Sequence, residues 1–151
     1  IVDANMREPE LHKAFKLSQT PGLADVLTGK AELQIAAVPT RVPNLSLLPA
    51  GKPSVPAQAL LGHQALGGLF QAMRGRFDLI VVDTPPILQY PDALHIGKCV
   101  DGVLLVVSPN GASRREQQQM RRLFDRVEAR ILGMVLNRVP PRERSPLAGA
   151  S

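Results

Sequence analysis

Short apolar runs recur along the chain, and each stops abruptly at a polar or turn-forming residue. Ile1-Val2 precedes Asp3, Leu45 to Leu48 precedes Pro49-Ala50-Gly51, Leu79 to Val82 precedes Asp83, and Ile131 to Leu136 precedes Asn137-Arg138. Gly102 to Val107 is a fifth. Runs of this length, rich in β-branched residues, predict strands. Those at Leu79 to Val82 and Gly102 to Val107 lack alternation and predict strands buried on both faces of a parallel sheet. The intervening segments carry helical spacing. Met6 to Leu17 predicts a loop and a short helix, and Leu23 to Leu27 a second one stopped near Gly29. Ala57 to Arg74 predicts a longer helix, weakened by Gly62, Gly67 and Gly68. Pro91 to Val100 predicts a short helix, and Ser113 is placed to cap one running to about Arg130. In that last helix Met120, Leu123, Phe124, Val127 and Ile131 mark the buried face. Strands alternating with helices give an α/β fold: a doubly wound, mostly parallel sheet flanked by helices.

The chemistry concentrates at the ends of the strands. In Phe77 to Pro86, FDLIVVDTPP, the carboxylate of Asp83 emerges at the carboxyl edge, where open α/β sheets bind ligands. The same pattern fits an ordinary buried strand closed by a turn. An acid so placed suits a hydrated Mg²⁺ beside a nucleotide triphosphate. Asp3 ends another strand and points to the same presumed crevice, although strands also end in Asp for turn reasons alone. Phosphoryl transfer needs positioning, a metal, and a group that orients or deprotonates the nucleophile. Two strand-tip acids supply the metal-water ligand and that group.

Composition narrows the choice. Hydrophobic residues make up 44% of the 151, enough for one α/β core, while aromatics reach only 3% and leave packing to aliphatic side chains. The charge of +5 and pI near 10.0 allow acidic partners, phosphates or a membrane surface without choosing among them. Cys99 is the single cysteine, which excludes an internal disulfide; its apolar neighbours predict a buried thiol. No apolar run approaches the roughly 18 residues that cross a bilayer. His12, His63 and His95 are too dispersed for a zinc site, and there is no G-x-S-x-G elbow. Aromatic stacking platforms are missing, so no nucleic acid is expected as partner. Tyr90, the only tyrosine, is expected to pack locally. No G-x-x-x-x-G-K-S/T loop occurs: Gly51-Lys52 is followed by Pro53 and Gly29-Lys30 by Ala31. The opening Ile1-Val2-Asp3, without an initiator Met, reads as a strand cut midway and predicts a fragment.

The order IVDANMREP, GLADVLTGK, LSLLPAGK, FDLIVVDTPPIL, PDALHIGKCVDGVLLVV and ILGMVLNRV resembles the bacterial tyrosine kinases of capsule and exopolysaccharide assembly. These are P-loop proteins related to the MinD and ParA group of deviant Walker ATPases, and the resemblance runs from Ile1 to Val139. It implies a P-loop NTPase-like domain over residues 1–139, lacking the phosphate-loop strand, and a mobile basic tail over 140–151. It implies ATP and Mg²⁺ as cofactors. Asp3 then corresponds to the first acid of the accessory Asp-x-Asp-x-Arg motif, near the attacking group and the metal's water shell, and Arg7 to its basic member. Asp83 corresponds to the Walker B acid that holds Mg²⁺ through water, with Pro86 completing Asp-x-x-Pro, and Asn137 to a residue near the adenine. The resemblance further implies a cytoplasmic domain at the inner face of the membrane. Its partners would be a membrane chain-length regulator (a polysaccharide co-polymerase) and further copies of the intact protein.

Two departures matter. Asn5 stands where an acid is usual, removing one negative charge and one candidate base. The tail RVPPRERSPLAGAS has no tyrosine, whereas the kinases carry a phosphorylated tyrosine cluster there. Three readings result: a tyrosine autokinase domain, inactive alone for want of its phosphate loop; a MinD- or ParA-like positioning ATPase; or a degenerate, non-catalytic module binding the membrane regulator.

Overall fold

A computed structural model describes residues 1–108 and 113–139. In chain order the elements are β1 (Val2–Asp3), α1 (Leu11–Ala14), α2 (Leu23–Leu27), α3 (Leu33–Ala36), β2 (Val38–Pro39), β3 (Ser46–Leu47), α4 (Ala57–Leu60), α5 (His63–Arg74), β4 (Val82–Asp83), α6 (Asp92–Gly97), β5 (Val103–Val107), α7 (Arg114–Asp125) and β6 (Ile131–Leu136). The architecture is α/β. β1 pairs parallel with β4, β5 pairs parallel with β6, and β2 and β3 form an antiparallel hairpin. A single parallel bridge from Val2 to Leu48 sets the end of β3 beside β1.

The parallel strands do not join into one sheet among the described residues; they stand as separate pairs. This revises the expected strands buried on both faces. β4 holds only two residues, because β1 offers it only Val2 and Asp3 as partners. Leu79 is 79% exposed, and Leu104 and Val106 of β5 are 59% and 63% exposed. Both runs were read from their apolar continuity, but each has one bonded neighbour, so part of each stays in solvent. The predicted helix from Ala57 to Arg74 divides at Leu61-Gly62, where Gly62 takes extended angles (φ −56, ψ 139). α7 ends at Asp125, short of Arg130, and the chain reverses through Glu128 at φ 57.

Two apolar clusters hold these pieces. The larger gathers Val2 and Leu48 with Leu23, Leu61, Leu66, Phe70 and Ile96. α5 contributes Leu66, Leu69, Phe70 and Met73, a stripe at helical spacing laid against the β1–β4 pair. The smaller joins Ala93, Leu105, Phe124 and Ala129, so α6 and α7 cover one face of β5. Ser113 caps α7 as expected: its hydroxyl accepts the Glu116 N–H at 3.2 Å, and the Glu116 carboxylate accepts the Ser113 N–H at 2.7 Å. Arg114, Arg115, Arg121, Arg122 and Arg126 are exposed. Cys99 is half-buried against the larger cluster, and burial pushes its thiol pKa up.

Candidate functional site

The two strand-tip acids are neighbours. β1 and β4 run parallel in a register that sets Asp3 against Asp83 one residue beyond Val2 against Val82. The Ala4 N–H donates to the Asp83 carbonyl at 2.9 Å and locks that pairing at the acids themselves. Apolar residues up to position 82 fix the strands, and the first polar residue of each then emerges at one edge.

Their environments differ. Asp3 is fully buried, and its two carboxylate oxygens accept the N–H groups of Asn5 and Leu11, each at 3.2 Å. Burial raises its pKa above the ordinary carboxylate value; those two N–H donors pull the other way, and the charge of Asp83 adds to the rise. Asp83 is exposed as a residue, yet partial desolvation of its carboxyl raises its pKa, opposed by a hydrogen bond from the Thr84 backbone. No salt bridge neutralises Asp83 among the described residues. Two desolvated like charges side by side favour capture of a cation or a proton. Asp3 thus stands behind the edge as a fixed charge and loop anchor, and Asp83 is the carboxylate open to ligand.

Arg7 goes elsewhere than the metal edge. Its guanidinium donates to Asp92 through Nε at 2.8 Å and Nη2 at 3.2 Å, and lies 4.0 Å above the Tyr90 ring. Asp92 is the site residue that sequence reasoning missed. Its side chain is 1% exposed, and it begins α6 directly after Pro91. An acid set among Pro91, Ala93, Leu94 and Ile96 is the signal that could have found it, since a buried carboxylate needs a partner. The Arg7–Asp92 pair ties the loop after β1 to the start of α6, so both acid-bearing loops share one brace. Tyr90 packs locally under Arg7. Asn137 follows β6; its N–H donates to the Val107 carbonyl at 2.7 Å, and its Oδ1 accepts the Arg138 N–H. It belongs to the β5–β6 pair and not to the β1–β4 pair that carries the acids.

The donor set fits one mode of metal binding. Among the described residues, no group of three or more His, Cys, Asp and Glu forms a cage for a bare ion. A hydrated Mg²⁺ needs only one or two carboxylates, with phosphates completing its shell. Asp83, open and unpaired by any cation, meets that requirement. A cleft of about 620 Å³ adjoins it, lined by Asp83, Thr84, Pro86 and the length of β5.

No protein-family model matches the chain. The solved kinase domain of Escherichia coli tyrosine kinase ETK superposes with a TM-score of 0.88 at 28% identity, over 99% of this chain and 59% of that one. The cell division ATPase MinD of Pyrococcus furiosus superposes at 0.75 and 25% identity, over 92% and 58%. The fold is therefore that of the P-loop NTPases. Tyrosine-protein kinase wzc of Salmonella typhi is 31% identical over 139 residues, which are 92% of this chain and 19% of that protein. Putative tyrosine-protein kinase CapB of Staphylococcus aureus is 30% identical over 140 residues, 93% of this chain and 61% of that protein. The chain's homologues are bacterial tyrosine-protein kinases, and it spans a fifth to three-fifths of the length of these two.

Proposed function

We propose that the chain is the nucleotide-site half of a bacterial protein-tyrosine autokinase that acts in capsule or exopolysaccharide synthesis. The observation that carries this reading is the register of Asp3 against Asp83 on neighbouring parallel strands. Mg²⁺, when bound, offsets the charge on the nucleotide phosphates. Asp83 would hold the ion through its water shell, and Asp3 would add negative potential behind it. Arg7 acts as a positioning residue: braced on Asp92, it fixes the loop that follows Asp3. Asn137 lies at the adenine end of the site. With Asn5 where the kinases carry an acid, one candidate base is lost, and Asp3, buried and bonded to the Asn5 and Leu11 N–H groups, supplies negative charge and holds its loop. The domain works at the inner face of the membrane through a chain-length regulator and assembles with further copies of the intact protein. Among the described residues no helix is long and apolar enough to cross a membrane.

Residues 1–151 contain no glycine-rich phosphate loop, so this polypeptide lacks the converging N–H groups that would grip the phosphates. Titration calorimetry of the 151-residue chain with Mg-ATP is expected to show no micromolar binding and no phosphotyrosine on incubation. In a longer polypeptide that includes such a loop, binding appears and Asp83→Asn weakens it. Micromolar affinity in the isolated chain, or a longer form indifferent to Asp83→Asn, overturns the reading. The likeness to MinD supports a second reading as a positioning ATPase. ATP hydrolysis without phosphotyrosine in the longer form would select it.

A further inference from the structure

β6 has a bonded neighbour on one side only, and its outer edge is open among the described residues. The Asn137 N–H donates to the Val107 carbonyl, so Asn137 turns its backbone groups toward β5. Because these groups alternate along a parallel strand, Val135 does the same, while Met134 and Leu136 present N–H and C=O to the open edge. The side-chain faces follow from the register. Met134 lies opposite Leu105, which is buried with Phe124 of α7, so Met134 stands on the α7 face. Val135 lies opposite Val106 on the other face and is exposed, as is Leu132. Between α7 and β6 runs a groove of about 740 Å³ lined by Leu105 and Met134. Arg114, Arg121 and Arg130 line it too, with Asp125, and none of the three arginines is ion-paired to an acid of the described chain.

We propose that the β6 edge and this groove dock one extended, acidic segment of another protein, added as a third strand. The segment would be about as long as the six residues of β6, and its backbone would pair with Met134 and Leu136. Directly opposed residues of paired strands share a face. Side chains opposite Met134 and Leu136 would therefore enter the groove and meet the arginines, which selects acids at those alternate positions. The intervening side chains fall beside Val135 and Leu132, which selects apolar residues. Main-chain bonds to the edge supply affinity, and the groove supplies the choice of side chain. Charge argues against the other occupants. A second copy pairing through its own β6 would set Arg114, Arg121 and Arg130 against the same three residues. Residues 140–151 of the chain itself carry Arg142 and Arg144 against the one acid Glu143, the wrong sign for this groove.

The test needs neither nucleotide nor metal, so it fails or succeeds separately from the phosphoryl-transfer reading. A fluorescein-labelled peptide of alternating glutamates and valines is titrated into the 151-residue chain, and amide exchange is followed by NMR. Saturable binding is expected, with exchange at Met134 and Leu136 slowed about tenfold or more and Asn137, already bonded to Val107, unchanged. Arg114→Gln and Arg121→Gln should each weaken binding about two- to fivefold, the range of one exposed ion pair. Arg115→Gln, on the same helix but outside the groove, should leave binding unchanged. A peptide N-methylated at every amide should not bind, and one with its glutamates and valines in two separate blocks should bind more weakly than the alternating form. No binding, binding without protection at Met134 and Leu136, equal binding by the block peptide, or a loss in Arg115→Gln as large as in Arg121→Gln overturns the proposal. Protection that rises with chain concentration in the absence of peptide also overturns it, and assigns the edge to a second copy.

Discussion

Replacing Gly22 by Ala tests the packing that holds β3 beside β1. Gly22 precedes α2 and lies on the turn Pro49 to Gly51, which leaves β3. A Cβ at Gly22 would meet Gly51 N at 2.3 Å, the Pro49 carbonyl oxygen at 2.4 Å and Gly51 Cα at 2.7 Å. All three are backbone atoms, so no side-chain rotation relieves the overlap and the two segments must separate. Their separation strains two hydrogen bonds, Leu23 N–H to the Pro49 carbonyl at 2.7 Å and Ala24 N–H to the Ala50 carbonyl at 3.0 Å. Each contributes about 1 kcal/mol, and forcing a methyl into a packed contact costs about 1–3 kcal/mol. The expected loss is about 2–4 kcal/mol, a large share of the roughly 5–15 kcal/mol that holds a domain together. Urea denaturation followed by far-UV circular dichroism measures it as a lower midpoint at unchanged slope. A midpoint equal to or above that of the parent chain refutes the reasoning, because it would mean that the α2 to β3 contact is not closed as described.

Gly68→Ala should have the opposite sign: the position is exposed in α5 with nothing near the added methyl, so stability should rise by up to about 1 kcal/mol, read by the same denaturation. Ser113→Ala removes the hydroxyl that accepts the Glu116 N–H, leaves the Ser113 backbone N–H to the Glu116 carboxylate, and should cost about 1 kcal/mol, with amide exchange faster in the first turn of α7. Asp83→Asn should raise the melting temperature near neutral pH. The Asp83 pKa is raised in the fold, so ionising it destabilises the native state; the variant's advantage is full above the folded pKa, shrinks as pH falls through it, and is gone below the unfolded value of 3.8. Melting curves across the acid range that show a constant advantage would contradict this.

Local elements were the most legible part of the sequence. Leu23–Leu27 and Ile131–Leu136 form at the predicted residues, and Ser113 caps the helix it precedes, because each is set by contiguous residues. The α/β class followed from alternation of runs, and the strand-tip acids from where each run stops. Burial was misread for Leu79, Leu104 and Val106, since an apolar run reports what a strand would bury and not how many neighbours it has. The split at Gly62 followed from a residue whose weakness in helices was visible but whose extended backbone was not. α3 and β2 escaped notice because they are four and two residues long, too short for any periodicity to register, while β3 falls inside the predicted strand Leu45 to Leu48. Asp92 was missed since nothing local shows that Arg7, 85 positions earlier, reaches it.

The account rests on Asp83, backed by Asp3, as the place where a hydrated divalent cation settles. Backbone amide spectra of the chain titrated with Mn²⁺ test that directly, since the ion broadens whatever lies near it. The strongest broadening is predicted at Asp83, Thr84 and Ala4, and it should fade in Asp83→Asn. Broadening centred instead on exposed acids such as Glu8 and Glu10, or unchanged in the variant, would contradict the account.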